Sequence, residues 1–106
     1  MMTENTATDE LLESAKKALT HPFAAVIKLA PMDQTPIWVD GRTTPPTISL
    51  AAPEGNTGDC TWYGALDALE QALESERALE SAYVSGRITI SGDMSVMARL
   101  TMERTR

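Results

Sequence analysis

The stretch Gly86 to Leu100 reads GRITISGDMSVMARL and sets a strand, a break and an apolar helix side by side. Ile88 and Ile90 alternate with Thr89 and Ser91, the period of two of a strand with one buried face. Gly92 interrupts that strand. Asp93 follows as a helix N-cap, its carboxylate placed to accept from the free amides of the first turn and to complement the positive end of the helix. Met94, Met97, Ala98 and Thr101 recur at three-and-four spacing with Val96 and Leu100 beside them, so most of the helix circumference is apolar or small. A helix of this kind needs apolar neighbours on more than one side.

Working upstream, Ser75 ends one helix or caps another in which Leu79, Ala82 and Tyr83 face inward, and Gly86 closes it as the residue after the C-cap. Before it, from Tyr63 or Gly64, Leu66, Leu69 and Leu73 define a helix whose other side, with Asp67, Glu70 and Glu74, is solvated. Asp59 to Trp62 forms a short strand after an EGNTG loop. Thr47 to Ala51 forms another, pushed to an edge by Pro45 and Pro46, neither of which can donate to a ladder. Ile37 to Asp40 is a strand leading into Asp40-Gly41, a hairpin-turn dipeptide. Ala24 to Ala30 is the first strand, ended by Pro31. At the start of the chain, Thr8 or Asp9 caps a helix with the stripe Leu11, Leu12, Ala15, Ala18 and Leu19, which Pro22 stops near His21. Residues 1–8 are expected to be flexible and 9–106 to form one domain.

Composition narrows the function. With 42% hydrophobic and 23% charged residues the chain has the makeup of a folded domain rather than a disordered one. Its net charge of −6 and nine scattered basic residues argue against nucleic acid and against electrostatic docking on anionic membranes. Cys60 stands alone, so neither an intrachain disulfide nor a zinc cluster is expected, and a reducing compartment suits it. No apolar run approaches the roughly 18 residues of a membrane helix, so stable membrane insertion is not expected. The polar, acidic MMTENTATDE start lacks the apolar core of a signal peptide, which points to the cytoplasm. Catalysis has little to build on: His21 follows a helix end, Cys60 sits within a strand, no GxSxG elbow occurs, and the glycines are isolated. A non-catalytic protein without metal or cofactor is the expectation.

Three motifs stand in order: Trp38-Val39-Asp40-Gly41, then Asp59-Cys60-Thr61 leading into Leu66, Leu69 and Leu73, then Tyr83 followed by Gly86-Arg87-Ile88-Thr89-Ile90-Ser91-Gly92-Asp93-Met94. In these the chain resembles the sterol carrier protein type 2 (SCP-2) domain family from about Phe23 to Leu100, the last motif being the specific one. It departs from the family at Ser75, where a glycine often separates the two central helices.

The resemblance implies an α+β fold: a mainly antiparallel sheet of about five strands packed against helices, with an apolar tunnel or groove between them. It implies non-catalytic binding or transfer of a lipid, whether a fatty acyl chain, a sterol-like molecule or an isoprenoid. The alternative is an accessory or scaffolding protein in lipid or isoprenoid-quinone metabolism, acting through a homodimer or a protein partner. The ligand-binding residues then expected are Trp38, Leu50, Trp62, Leu66, Leu69, Leu73, Tyr83, Met94, Val96, Met97 and Leu100. The chemistry required is modest, because burial of each methylene yields about 0.8 kcal/mol and shape does most of the rest. Met94 and Met97, flexible and polarizable, suit a surface that repacks around different ligands. As the sequence closes at Arg106, soon after Leu100, the last helix is expected to be the chief wall or lid of the cavity.

Overall fold

A computed structural model describes residues 6–53, 55 and 58–103; the expected flexibility of residues 1–5 lies outside them. Among the described residues the chain is α+β, with four helices against one face of a five-stranded sheet. Helix α1 spans Thr6–Ala18, taking in residues ahead of the start expected at Thr8 or Asp9. Strands β1 (Val26–Pro31), β2 (Ile37–Asp40) and β3 (Thr47–Ser49) form a meander. Strand β4 (Cys60–Gly64), helices α2 (Leu66–Ala72) and α3 (Glu76–Val84), strand β5 (Ile88–Gly92) and helix α4 (Ser95–Arg99) follow.

The strand order is β3-β2-β1-β4-β5, antiparallel throughout except where β4 lies parallel to β1. The mainly antiparallel sheet of the sequence reading is therefore present, and β3 holds the edge that Pro45 and Pro46 require. Register places Ile27, Leu29, Ile37, Val39, Cys60, Trp62, Ile88 and Ile90 on one face, where they meet Leu11 and Ala15 of α1, Leu69 and Ala72 of α2, Ala82 of α3 and Val96 of α4 in a single core. The period-two pattern explains the opposite face, where Lys28, Trp38, Tyr63 and Thr89 alternate with those core positions and retain solvent contact.

The Asp40-Gly41 dipeptide does not make the tight hairpin its sequence suggests. The β2–β3 connection runs through residues 41–46, and Gly41 serves close packing instead. Its amide donates to the Ala25 carbonyl at 2.7 Å and its own carbonyl accepts from Phe23 and Ala24, while an added Cβ would fall 2.4 Å from the buried Phe23 ring. Asp40 organises the loop: its Oδ1 accepts from the amide of Arg42 at 3.0 Å and from Arg42 Nε at 2.9 Å, and its Oδ2 from Arg42 Nη2 at 3.0 Å.

The side-chain hydrogen bond from Arg42 holds the Asp40 carboxyl below the usual carboxylate value, burial opposing it less strongly. A depressed folded pKa stabilises the fold above the unfolded value of about 3.9 and loses that contribution as pH falls through the folded value. Asp40→Asn is therefore expected to lower stability at neutral pH, with the gap to wild type narrowing at acidic pH. Urea melts of both proteins at pH values above and below the carboxylate range check it.

Ser75 caps α3 as its sequence predicts, its Oγ accepting from the Ala78 amide at 3.0 Å. The helix ends on Gly86 at φ +81, where the Arg87 amide donates to the Ala82 carbonyl at 2.9 Å and the Gly86 amide to the Tyr83 carbonyl at 3.1 Å, the paired bonds of a Schellman turn.

Helix α4 is a correction. The long apolar helix expected after Asp93 is only the five residues Ser95–Arg99. Asp93 Oδ1 accepts from the Ser95 amide at 3.0 Å and from Ser95 Oγ at 2.6 Å, a local turn that sets up the helix from two residues ahead. At Leu100 the backbone becomes extended because tertiary partners replace helical ones. The Met102 amide donates to Glu76 Oε2 at 3.0 Å, the Glu103 amide donates to the Ala18 carbonyl at 2.8 Å, and the Met102 side chain is buried. Arg99 Nε adds a bond to the Phe23 carbonyl at 3.0 Å.

Candidate functional site: an apolar groove between α3, β5 and α4

Where the short α4 leaves the sheet, an open groove of about 240 Å³ remains, lined by Glu76, Leu79, Glu80, Tyr83, Ile90, Met94, Met97 and Leu100. Its geometry follows from local sequence. Positions 76, 79, 80 and 83 share one face of α3 at the three-and-four spacing of a helix, and the Ser75 cap and Gly86 stop fix where that face begins and ends. Ile90, on the core-facing side of β5, and Leu79 form the buried floor. Met97 and Leu100 are half-buried along the α4 wall, while Tyr83 and Met94, each 44% exposed, form the rim. The bond from the Met102 amide to Glu76 ties the chain leaving α4 back to α3, so the two walls are held at a fixed separation.

The structure brings Tyr83, Met94, Met97 and Leu100 together here. Trp62, Leu69, Leu73 and Val96 lie in the closed core with at most 1% exposure, and Leu66 packs against that core half-buried. Trp38 stands on the opposite face of the sheet, where Lys28 Nζ lies 5.5 Å from its ring centroid, and Leu50 projects into solvent after the edge strand. Leu79 and Ile90 carried a readable signal, since periodicity turns both inward, but nothing distinguished inward-facing at a groove from inward-facing in the core. Glu76 and Glu80 looked like any solvated helix carboxylates. Helix α4 forms one wall of the groove and α3 the other.

Among the described residues, the polar side chains that line it are those of Glu76, Glu80 and Tyr83. Arg99 is engaged with the Phe23 carbonyl and Ser95 Oγ, and Arg87 with Gln71, Ser81 and Ser85; neither lines the groove. His21 lies elsewhere, its Nε2 2.6 Å from Glu103 Oε2 on the surface. Burial pushes the Cys60 thiol up, the Asp93 charge adding to it, which opposes the thiolate a nucleophile needs. Among the described residues no group of three or more His, Cys, Asp or Glu is placed to hold a metal ion, and no helix is long and apolar enough to cross a membrane.

The site is thus an apolar groove laid between helices and one face of a mixed sheet, with carboxylates and a phenol among its lining groups. Residues 5–102 match the SCP-2 sterol transfer family, and the chain belongs to that family of lipid-binding domains. Solved structures agree on the fold. One described as "Sterol Carrier Protein 2 from Yarrowia Lipolytica (apo form)" superposes with a TM-score of 0.58 at 16% identity, covering 92% of this chain and 81% of that one. Another, "UbiJ-SCP2 Ubiquinone synthesis protein", gives 0.55 at 17% identity, covering 90% of this chain and 71% of that one. A search of curated proteins finds no match.

Proposed function

We propose that the protein binds a lipid reversibly by its hydrocarbon part in the groove between α3, β5 and α4, and carries it without acting on it chemically. The observation that carries this reading is the convergence of Leu79, Tyr83, Ile90, Met94, Met97 and Leu100, from three separate elements, on one open space. Its volume of about 240 Å³ is below the roughly 300–1,000 Å³ of pockets that enclose drug-sized ligands, so the groove holds a segment of a chain, and Met94 and Met97 shift to admit more of it. At about 0.8 kcal/mol per buried methylene, a short run of carbons provides useful affinity.

Burial that pushes the Cys60 thiol up, and the place of His21 on the surface against Glu103, support a non-catalytic role. A reducing, cytoplasmic setting suits a single buried thiol. The accessory-protein alternative draws no separate support from the groove or the family.

Purified protein examined by native mass spectrometry, before and after organic extraction, is expected to show a co-purifying lipid or a saturable acyl ligand at one per chain. Folded protein that takes up no member of a panel of fatty acids, long-chain alcohols, sterols and polyprenols would overturn the reading.

A further inference from the structure

The groove has a chemically one-sided mouth. Glu76 and Glu80 stand four residues apart on α3 and line the groove together, and among the described residues no lysine, arginine or histidine lines it with them. Glu76 has Oε2 committed to the Met102 amide, and Glu80 is exposed. The nearest cation on α3, Arg77, borders a neighbouring hollow with Glu80, Ser81 and Val84 rather than the groove itself. Arg99, the cation of α4, already donates to the Phe23 carbonyl and Ser95 Oγ.

An ionised carboxylate can only accept hydrogen bonds. A ligand whose hydrocarbon lies along Leu79, Ile90 and Met97 brings its polar end to acceptors, with Tyr83 the one group among the described lining residues able to donate or accept. A hydroxyl or an ammonium donates to such a rim. A carboxylate or phosphate meets like charge at short range, in a protein whose net charge is already −6.

We propose that the groove selects single-chain amphiphiles whose polar end is a hydrogen-bond donor without negative charge, and discriminates against those ending in a carboxylate or phosphate, with Glu80 as the principal selecting residue. This rests on the lipid-binding reading above. Glu76 adds its charge while its bond to the Met102 amide keeps the two walls in place.

The test uses N-phenyl-1-naphthylamine, an uncharged fluorescent probe of apolar sites, displaced at neutral pH by three ligands of one chain length: 1-decanol, decylamine (as its ammonium) and decanoate. In the wild-type protein decanol and decylammonium are expected to displace the probe, with decanoate about tenfold weaker or more. In Glu80→Gln, which keeps side-chain size and lies on an exposed position, decanoate is expected to gain and decylammonium to lose. In Glu76→Gln/Glu80→Gln the three are expected to converge to within about threefold. Equal displacement by all three ligands in the wild type, or a decanoate deficit unchanged in Glu80→Gln and the double variant, would overturn the selectivity while leaving lipid binding intact. Failure of the probe and all three ligands to bind folded wild-type protein would overturn both.

Discussion

Gly92→Ala is expected to destabilise the protein by about 3–4 kcal/mol, and Gly86→Ala by only about 1 kcal/mol. Both glycines have positive φ, +98 and +81, so both substitutions incur the strain of a left-handed backbone with a Cβ. Their surroundings differ. A Cβ on Gly86 meets nothing within 4 Å, because the Schellman turn faces solvent. A Cβ on Gly92 falls 2.5 Å from the carbonyl oxygen of Asp59, the residue just before β4, and 3.2 Å from Cα of Cys60, the first residue of β4, and both are backbone atoms. That same carbonyl accepts from the Asp93 amide at 2.8 Å, so relieving the clash pulls apart the closure of β5 on β4 and the turn that launches α4. Urea or thermal melts of the two variants measure the difference. Equal losses would mean that φ alone, and not the approach of β4, is why glycine stands at position 92.

The two glycines also show which parts of the fold the sequence carries openly. Gly86, Ser75, Gly92 and the alternation of Ile88 and Ile90 act over a few residues, and each acts in the structure as its local pattern suggests. What fails is long-range. Asp40-Gly41 has the composition of a tight turn, yet Gly41 packs against the Phe23 ring, which comes from the segment just before β1. The apolar run after Asp93 has the composition of a longer helix, yet Met102 and Glu103 find better partners on Glu76 and Ala18. Pairing of β1 with β4 in parallel likewise depends on where the chain re-enters the sheet at Cys60, not on the residues of either strand.

The groove is harder to read than the fold for a related reason. Core and binding surface draw on the same apolar residue types, and their separation here turns on neighbours only a few residues distant. Val96 is fully enclosed while Met97, next in sequence, is half-buried on the groove wall. Periodicity says that both belong to an apolar helix. Which side has a layer packed against it depends on α3, whose position is fixed by its own cap, its stop and the Glu76 tie.

Separating core from groove is therefore an experiment on residues that the sequence leaves together. Trp62→Ala is expected to cost about 3–5 kcal/mol, the range for removing a large buried aromatic from a core that only partly collapses. Trp62 is wholly enclosed among residues of the single core and pairs in register with Leu29 and Ile90. Trp62→Phe removes less of that volume and is expected to cost about 1–2 kcal/mol. Against a total stability of about 5–15 kcal/mol, both variants remain folded at low temperature, and the folded fraction of each is expected to keep wild-type affinity for an uncharged chain such as 1-decanol. Met97→Gln reverses the pattern. Its side chain is half-buried at an open wall, where an amide reaches water in the unliganded protein at a cost below about 1 kcal/mol. A bound chain covers that amide and leaves it without a partner, which is expected to weaken binding about tenfold. Denaturant melts and probe displacement on the same three variants give the two numbers for each. Loss of affinity in Trp62→Ala with Met97→Gln unaffected would move the binding site from the groove into the interior between sheet and helices.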